Sequence, residues 1–432
     1  MAEGQLPEGH YLVSAQASER ATVGMGAMIV TIGDRTHMVW QDSTREGYLA
    51  RARTLDRTTG QWSDAVTVGK GVDNHARPCL AADADGYLHV VIGGHNTGFQ
   101  YLRSVQPNDT SQWTKPVAFG RGTYPCLACG AGNVLYLAAR GTHDAVDLYR
   151  KEPQGNWTLA HPFILRREPQ YKEYAGYNSA LAWGPGHKRL HFACDVYEGY
   201  GTYKRRGENQ LIVYMVSDDL GRTWKRSNGS PIEGEPYAKN LDVIAVSNRR
   251  REQDMPQPVL RLGGLVVDSQ DRPYVLYWQD EPERGRIYLV TPGEQGGWED
   301  LGLAAALRAH APGWGALNPQ GAFSITTDDV LQMCVPLGPL EDFGVPGALN
   351  INAAKTRYVW AETSDRGKTY RLRQPIPQGE GLERRHPTLE RPTGHNVIAG
   401  GRAASLAYFV GLQRYPEKGE VIQNTLYFVD VR

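Results

Sequence analysis

A short apolar strand fed by a tight turn recurs along this chain, and that recurrence constrains the fold more than any other feature. The copies are GDRTHMVWQD (33–42), ADGYLHVVIGGH (84–95), AGNVLYLAARG (131–141), GHKRLHFACD (186–195), SQDRPYVLYWQD (269–280), TTDDVLQMCVPLG (326–338) and ASLAYFVGL (404–412). In each, a turn residue opens the unit and a β-branched or aromatic run follows, the pattern of a hairpin. Trp-Gln-Asp stands at the same place in two of them, at 40–42 and 278–280. The units are spaced by roughly 45 to 85 residues, enough for a four-stranded blade with variable loops. Helical periodicity is scarce. Seven units in 432 residues predict an all-β chain, a seven-bladed β-propeller of four-stranded antiparallel blades forming a single domain over 1–432. The terminal strand TLYFVDVR (425–432) is expected to close the ring by pairing with the N-terminal strand.

Two further segments support this reading. SDDLGRTW (217–224) and TSDRGKTY (363–370) share the pattern Ser/Thr-x-Asp-x-Gly-x-Thr-aromatic. Physically this is a hairpin turn: the Asp accepts backbone N–H groups, the Gly takes a positive φ, and the aromatic packs between blades. The pattern resembles the Asp-box of sialidase-like propellers, the BNR repeat proteins. It speaks for the fold and says little about function, because binding propellers, glycosidases and lyases share it.

Composition narrows the function classes. The 47 Lys and Arg balance 47 Asp and Glu, so net charge is zero. Nucleic-acid binding normally shows a basic excess, and none is expected. No polybasic surface segment or apolar run of about 18 residues suggests a membrane partner. The five cysteines, at 79, 126, 129, 194 and 334, are odd in number and scattered, which is no disulfide framework. Cys126 and Cys129 form a CxxC without a second pair or a nearby His, and lie in an apolar strand-like run, where thiols act as small hydrophobes. The first residues, MAEGQLPEGHYLV, contain no basic and apolar leader pattern. A processed form would read the same, so the chain is secreted or periplasmic if processed and cytoplasmic otherwise.

Most of the 12 histidines are expected to be ordinary; His37, His89 and His191 sit within strands. His75 in GVDNHARP and His95 in VIGGHNTG stand apart, flanking the second unit's strand. If both lie where loops converge on the axis, they reach one end of the central channel. Tyr124 and Arg140 form a second pair in GTYPCLACGAGNVLYLAARG, and Arg140 is the lone charge after an apolar run. Such an Arg is either a structural ion-pair partner or an anion binder. Tyr171, Tyr174 and Tyr177 in REPQYKEYAGYNSA offer a sugar-stacking wall or inter-blade packing, with Tyr177 nearest the following strand. The run NRRREQDM (248–255) reads as a solvated loop, with anionic-polymer binding as the alternative. His310 and His386 read as loop residues at the same end, available to substrate or metal.

The layout HARPCLAADADGYLHVVIGGHN followed by TYPCLACGAGNVLYLAARG resembles the seven-bladed propeller polysaccharide lyases, the ulvan lyases and related rhamnose–glucuronate lyases. In that group two His about 20 residues apart precede a Tyr in a Thr-Tyr-Pro context, and an Arg follows 16 residues after the Tyr. Here His75 and His95 are 20 apart, and Tyr124 and Arg140 are 16 apart. The resemblance is strongest over 70–145. After Tyr-Pro the family pattern has an Arg and an aromatic where this chain has Cys126 and Leu127, and Gly-Thr-His-Asp follows Arg140 instead of a Ser-Gly-Gly type loop. These departures bear on the substrate, leaving sulfated ulvan and rhamnose-capped glucuronate chains both open. A rhamnosidase branch carries a His on the opposite face, where alignment puts Gln41.

The resemblance implies cleavage of a 4-linked uronic acid by β-elimination, and the residue types suit that chemistry. The C5 proton is α to a carboxylate, and an Arg can offset the developing dianion with two parallel hydrogen bonds. Arg140 takes that role and Tyr124 that of general acid, with base as an additional role open to it. His75 and His95 act as base or orient the uronate. Asn96 is placed to bond the carboxylate or a hydroxyl, and Tyr177 to contact sugar. The reaction needs no cofactor; a structural Ca²⁺ in the channel is compatible with a propeller, although no compact ligand motif is visible. The expected partner is an anionic, uronate-containing polysaccharide or oligosaccharide. Two other readings compete: a glycoside hydrolase of rhamnosidase type, and a non-catalytic glycan-binding propeller. A sialidase is disfavoured, because no early Arg-Ile-Pro signature is found.

Overall fold

A computed structural model describes residues 6–141, 145–200, 209–247, 260–279, 286–342, 355–376, 384–412 and 416–431. The run NRRREQDM lies outside them. The chain is all-β, with five antiparallel sheets among the described residues. Each of the seven turn-fed runs is a strand: Arg35–Thr44, Leu88–Ile92, Leu135–Arg140, Leu190–Glu198, Pro273–Gln279, Leu331–Pro339 and Leu406–Val410. Each pairs on both sides, so each is central to its sheet and buried on both faces. That is why these runs read as continuous apolar stretches.

Two of the sheets are simple four-strand meanders, Gly176–Trp183 to Asp242–Val246 and Leu260–Val267 to Trp298–Asp300. A third is built around Leu331–Pro339, which pairs with Trp314–Ala316, Phe323–Ile325 and Arg357–Thr363. The other two sheets are larger. In one, His10–Ala17 pairs with Asn424–Val429, from His10 opposite Val429 to Ala17 opposite Asn424, and Ala17 also faces Asp42. In the other, the strand Val117–Cys129 serves two neighbours. Its first half pairs with Thr97–Arg103 and its second half with Leu135–Arg140.

The core lies between successive sheets. One cluster joins Tyr136 and Leu148 to Phe192 and Trp224; another joins Ile212 and Tyr214 to Leu262 and Val275; a third joins Leu276 and Trp278 to Phe323 and Met333. Both Asp-box segments form the same turn. Asp219 accepts the Thr223 amide at 2.8 Å and hydroxyl at 2.7 Å, and Asp365 accepts the Thr369 amide at 2.9 Å and hydroxyl at 2.6 Å. Gly221 and Gly367 have φ of 86° and 79°. The aromatics follow suit: Trp224 is buried, and the Tyr370 hydroxyl donates to the Leu301 carbonyl at 2.9 Å.

The strand histidines are satisfied core groups. His89 bonds Tyr101 and Asp83 at 2.8 and 3.0 Å, and His191 bonds Tyr214 and Asp271 at 2.7 and 3.1 Å. All five cysteines are free and buried. No helix among the described residues is long and apolar enough to cross a membrane. His310 is not a loop residue: it ends the helix Leu303–His310, whose Leu303 and Leu307 are buried one turn apart against the core. His386 lies in the strand Arg384–Leu389, where its carbonyl accepts the Thr22 hydroxyl at 2.6 Å.

Candidate active site

The shared strand Val117–Cys129 brings the candidate residues together. Its midpoint carries a register shift between Thr123 and Cys126, and Tyr124 sits there with φ of 55°. A non-glycine residue in the left-handed region is strained, and such strain concentrates at functional sites. Thr123 faces Arg140 across the sheet. On the other side the Asn96 amide donates to the Thr123 hydroxyl at 2.9 Å, and that hydroxyl donates to Asn96 Oδ1 at 3.2 Å. The loop bearing His95 and Asn96 is thereby tied to the strand bearing Tyr124.

The two histidines meet face to face. Their ring centroids are 4.0 Å apart with a 23° interplanar angle, and Tyr124 lies 5.9 Å from the His75 ring. Asp73 joins them. Its Oδ2 accepts from His95 Nδ1 at 2.6 Å, and its Oδ1 accepts the His75 amide at 2.8 Å and lies 3.4 Å from His75 Nδ1. Burial pushes the Asp73 carboxyl up, but hydrogen bonds from His75 and His95 outweigh it and hold the group well below the usual carboxylate range. Burial lowers His75, only partly offset by Asp73, so that imidazole is neutral at neutral pH.

Arg140 is 4% exposed, and its Nε has no hydrogen-bond partner. Its guanidinium lies over three tyrosine rings, 5.0 Å from Tyr124, 4.9 Å from Tyr174 and 5.3 Å from Tyr177. Arg261 covers Tyr177 at 4.4 Å and lies 3.7 Å from the buried Asp195. The Tyr124 and Tyr177 rings lie 5.5 Å apart, and the surroundings separate their acidities. Burial, and then the neighbouring Tyr177, drive Tyr124 well above the ordinary phenol value. Burial also acts upward on Tyr177, but the guanidiniums of Arg261, Arg20 and Arg140 outweigh it and hold that phenol below its ordinary value.

The structure therefore gathers His75, His95, Tyr124, Arg140 and Tyr177 into one cluster, with Asn96 exposed at its edge. Tyr171 is not part of it; its ring packs on Tyr200 at 5.2 Å. Gln41 corrects an expectation. It is not on an opposite face but fully buried beside this cluster, where its Nε2 donates to the Asp73 carbonyl at 3.0 Å. Gln41 lies in the second half of the strand Arg35–Thr44. Asp73, Arg20 and Arg261 escaped the sequence reading. Asp73 had a signal, standing two residues before His75; the two arginines arrive from distant segments and had none.

Asp73, His75 and His95 also form the one group among the described residues able to present three metal-ligating side chains, with ligand atoms within 4.8 Å of one another. Two imidazoles and one carboxylate suit a zinc-class ion, not the oxygen cage calcium requires.

Residues 35–305 match the model of the BNR repeat-containing family, and the chain belongs to that family. Among its relatives are ulvan lyases. One from Pseudoalteromonas sp. (strain PLSV) is 25% identical over 284 residues, 56% of this chain and 55% of the relative. Another, from Nonlabens ulvanivorans, is 22% identical over 279 residues, 56% of this chain and 57% of the relative. The chain thus spans about half the length of the curated relatives it matches. Among solved structures, an ulvan lyase bound to -[GlcA(1-4)Rha3S]- superposes with a TM-score of 0.67 at 13% identity, covering 96% of both chains. The polysaccharide lyase Uly1 gives 0.62 at 12% identity, covering 98% of this chain and 99% of that one. At such identities the likeness is one of fold.

Proposed function

We propose that this chain is a polysaccharide lyase on a seven-bladed β-propeller, cleaving rhamnose–glucuronate linkages of a uronate-containing polymer by β-elimination. The blade count rests on the seven central strands, each flanked by antiparallel neighbours, and ring closure on the pairing of His10–Ala17 with Asn424–Val429. The observation that carries the activity is the buried, unpaired Nε of Arg140 within a cluster of two histidines and two acidity-split tyrosines. The ulvan lyase relatives favour the same reading.

Arg140 receives the uronate carboxylate and offsets the charge that develops as the C5 proton leaves. The stacked histidines supply the base. The Asp73 carboxylate accepts a hydrogen bond from His95 Nδ1, which assigns the base to the other ring nitrogen, Nε2, and burial keeps His75 neutral. The C5–H electron pair becomes the C4=C5 double bond as the C4–O4 bond breaks. Tyr124, whose pKa burial raises above the ordinary phenol value, stays protonated and gives its proton to O4. Tyr177 packs against the Tyr124 ring, and Arg261 over it adds a second positive charge beside Arg140. No step is assigned to a metal or cofactor.

The test is ultraviolet absorbance of the unsaturated uronate during incubation with ulvan and, separately, gum arabic. A rise with one polymer, abolished by Tyr124→Phe and by Arg140→Ala, is expected and identifies the substrate class. A flat trace with free rhamnose released would transfer the activity to hydrolysis.

A further inference from the structure

We propose that Arg77 and Arg391 together hold a small monovalent anion of chloride's class in the interior of the protein. The proposal is independent of the lyase reading. Arg77 is 7% exposed and Arg391 6%. Arg77 Nη2 donates to the Gly26 carbonyl at 3.1 Å, and Arg391 Nη2 donates to the carbonyl of Met25. Those carbonyls belong to consecutive residues, whose Cα atoms are about 3.8 Å apart, and Arg391 acts on Arg77 as a neighbouring positive charge. Gly24, with φ of 123°, makes room for Arg77: a Cβ there would lie 2.7 Å from Arg77 Nη2.

Two buried guanidiniums normally meet a carboxylate, because an uncompensated interior charge is costly. Here, among the described residues, neither has a carboxylate within ion-pair distance, and Arg77 Nη1 has no hydrogen-bond partner. Their neighbours are Cys79, Cys126 and a third cation, Arg20. The thiols do not supply the missing charge. Burial pushes Cys79 up to about 12 and raises Cys126, so both stay protonated. A guanidinium is too strong a base to lose its proton at neutral pH, so both arginines stay charged. An unpaired N–H beside thiols and backbone offers few donors and an apolar shell. A weakly hydrated halide fits this better than a phosphate, which needs many donors.

The test follows unfolding while chloride replaces gluconate at constant ionic strength, on the wild type and on Arg77→Met and Arg391→Met. The wild-type midpoint should climb by a few degrees and level off as the site fills, and both variants should give flat curves. Where a variant fails to fold, bromide-soaked wild-type crystals decide through an anomalous peak touching both guanidiniums. A wild-type midpoint indifferent to chloride, a chloride response that survives in both variants, or no bromide peak between the two side chains would overturn the proposal.

Discussion

In the proposed mechanism Arg140 and Asp73 do different work, and kinetics separates them. Arg140→Ala removes the partner of a developing charge, and kcat/KM should fall by about 10²–10³-fold in the absorbance assay. Asp73 touches no reacting atom in this account; it orients the His95 imidazole through a bond of 2.6 Å and holds the His75 backbone amide at 2.8 Å. Asp73→Asn should lower kcat and leave KM near the wild-type value, whereas a variant acting only on substrate binding would raise KM at constant kcat. The pH profile follows from the same groups. With His75 lowered by burial, the acidic limb of kcat/KM should fall below the ordinary histidine value. With Tyr124 raised, the alkaline limb should stay beyond the ordinary phenol value. A limb centred near neutrality would remove His75 from the role of base. At this scale the sequence exposed what is local. His75, His95, Tyr124 and Arg140 stand in one stretch at recognisable spacing, while Arg20 and Arg261 come from other segments and show no local pattern that marks them for the site.

At the scale of elements, the shared strand Val117–Cys129 is what aligns one hairpin's loop with the next hairpin's arginine. Gly122 is the tight point. A Cβ there would lie 2.5 Å from the Arg140 carbonyl and 3.0 Å from the Phe99 ring, and backbone cannot step aside as a flexible side chain can. Gly122→Ala should therefore displace the Arg140 strand and cut activity at least tenfold in soluble, folded protein, read by circular dichroism beside the absorbance assay. The Asp-box turns are remote from this chemistry. Asp219→Ala removes bonds to the Thr223 amide and hydroxyl and should cost about 1–3 kcal/mol in denaturant unfolding while kcat stays unchanged. Hairpins and Asp-box turns were legible because their rules are short-range: turn residues, alternation and a positive φ at Gly. Which end of a strand faces the site was less so. Gln41 was misplaced because a sequence position does not state which loops its strand end meets; here it reaches the Asp73 carbonyl.

For the whole molecule, buried histidines tie stability to pH. Burial pushes His37 down to about 4, against an ordinary value of 6.5, while it bonds Thr54 and Asn108. Between these values the unfolded chain binds more protons than the folded one, so stability falls as pH drops from about 6.5 toward 4. The shift is worth on the order of 3 kcal/mol for this residue, and His89 and His191 are lowered in the same direction. Urea unfolding across that window should show the slope, and His37→Gln should reduce it. The most direct test of the central claim is cleavage in heavy-oxygen water followed by mass spectrometry of the products. Elimination breaks the C4–O4 bond without adding water, so the account predicts a product carrying a C4=C5 double bond and no heavy oxygen. One heavy oxygen per cleavage, with a saturated uronate, would mean hydrolysis and contradict the assignment of His75, His95, Tyr124 and Arg140 to a lyase.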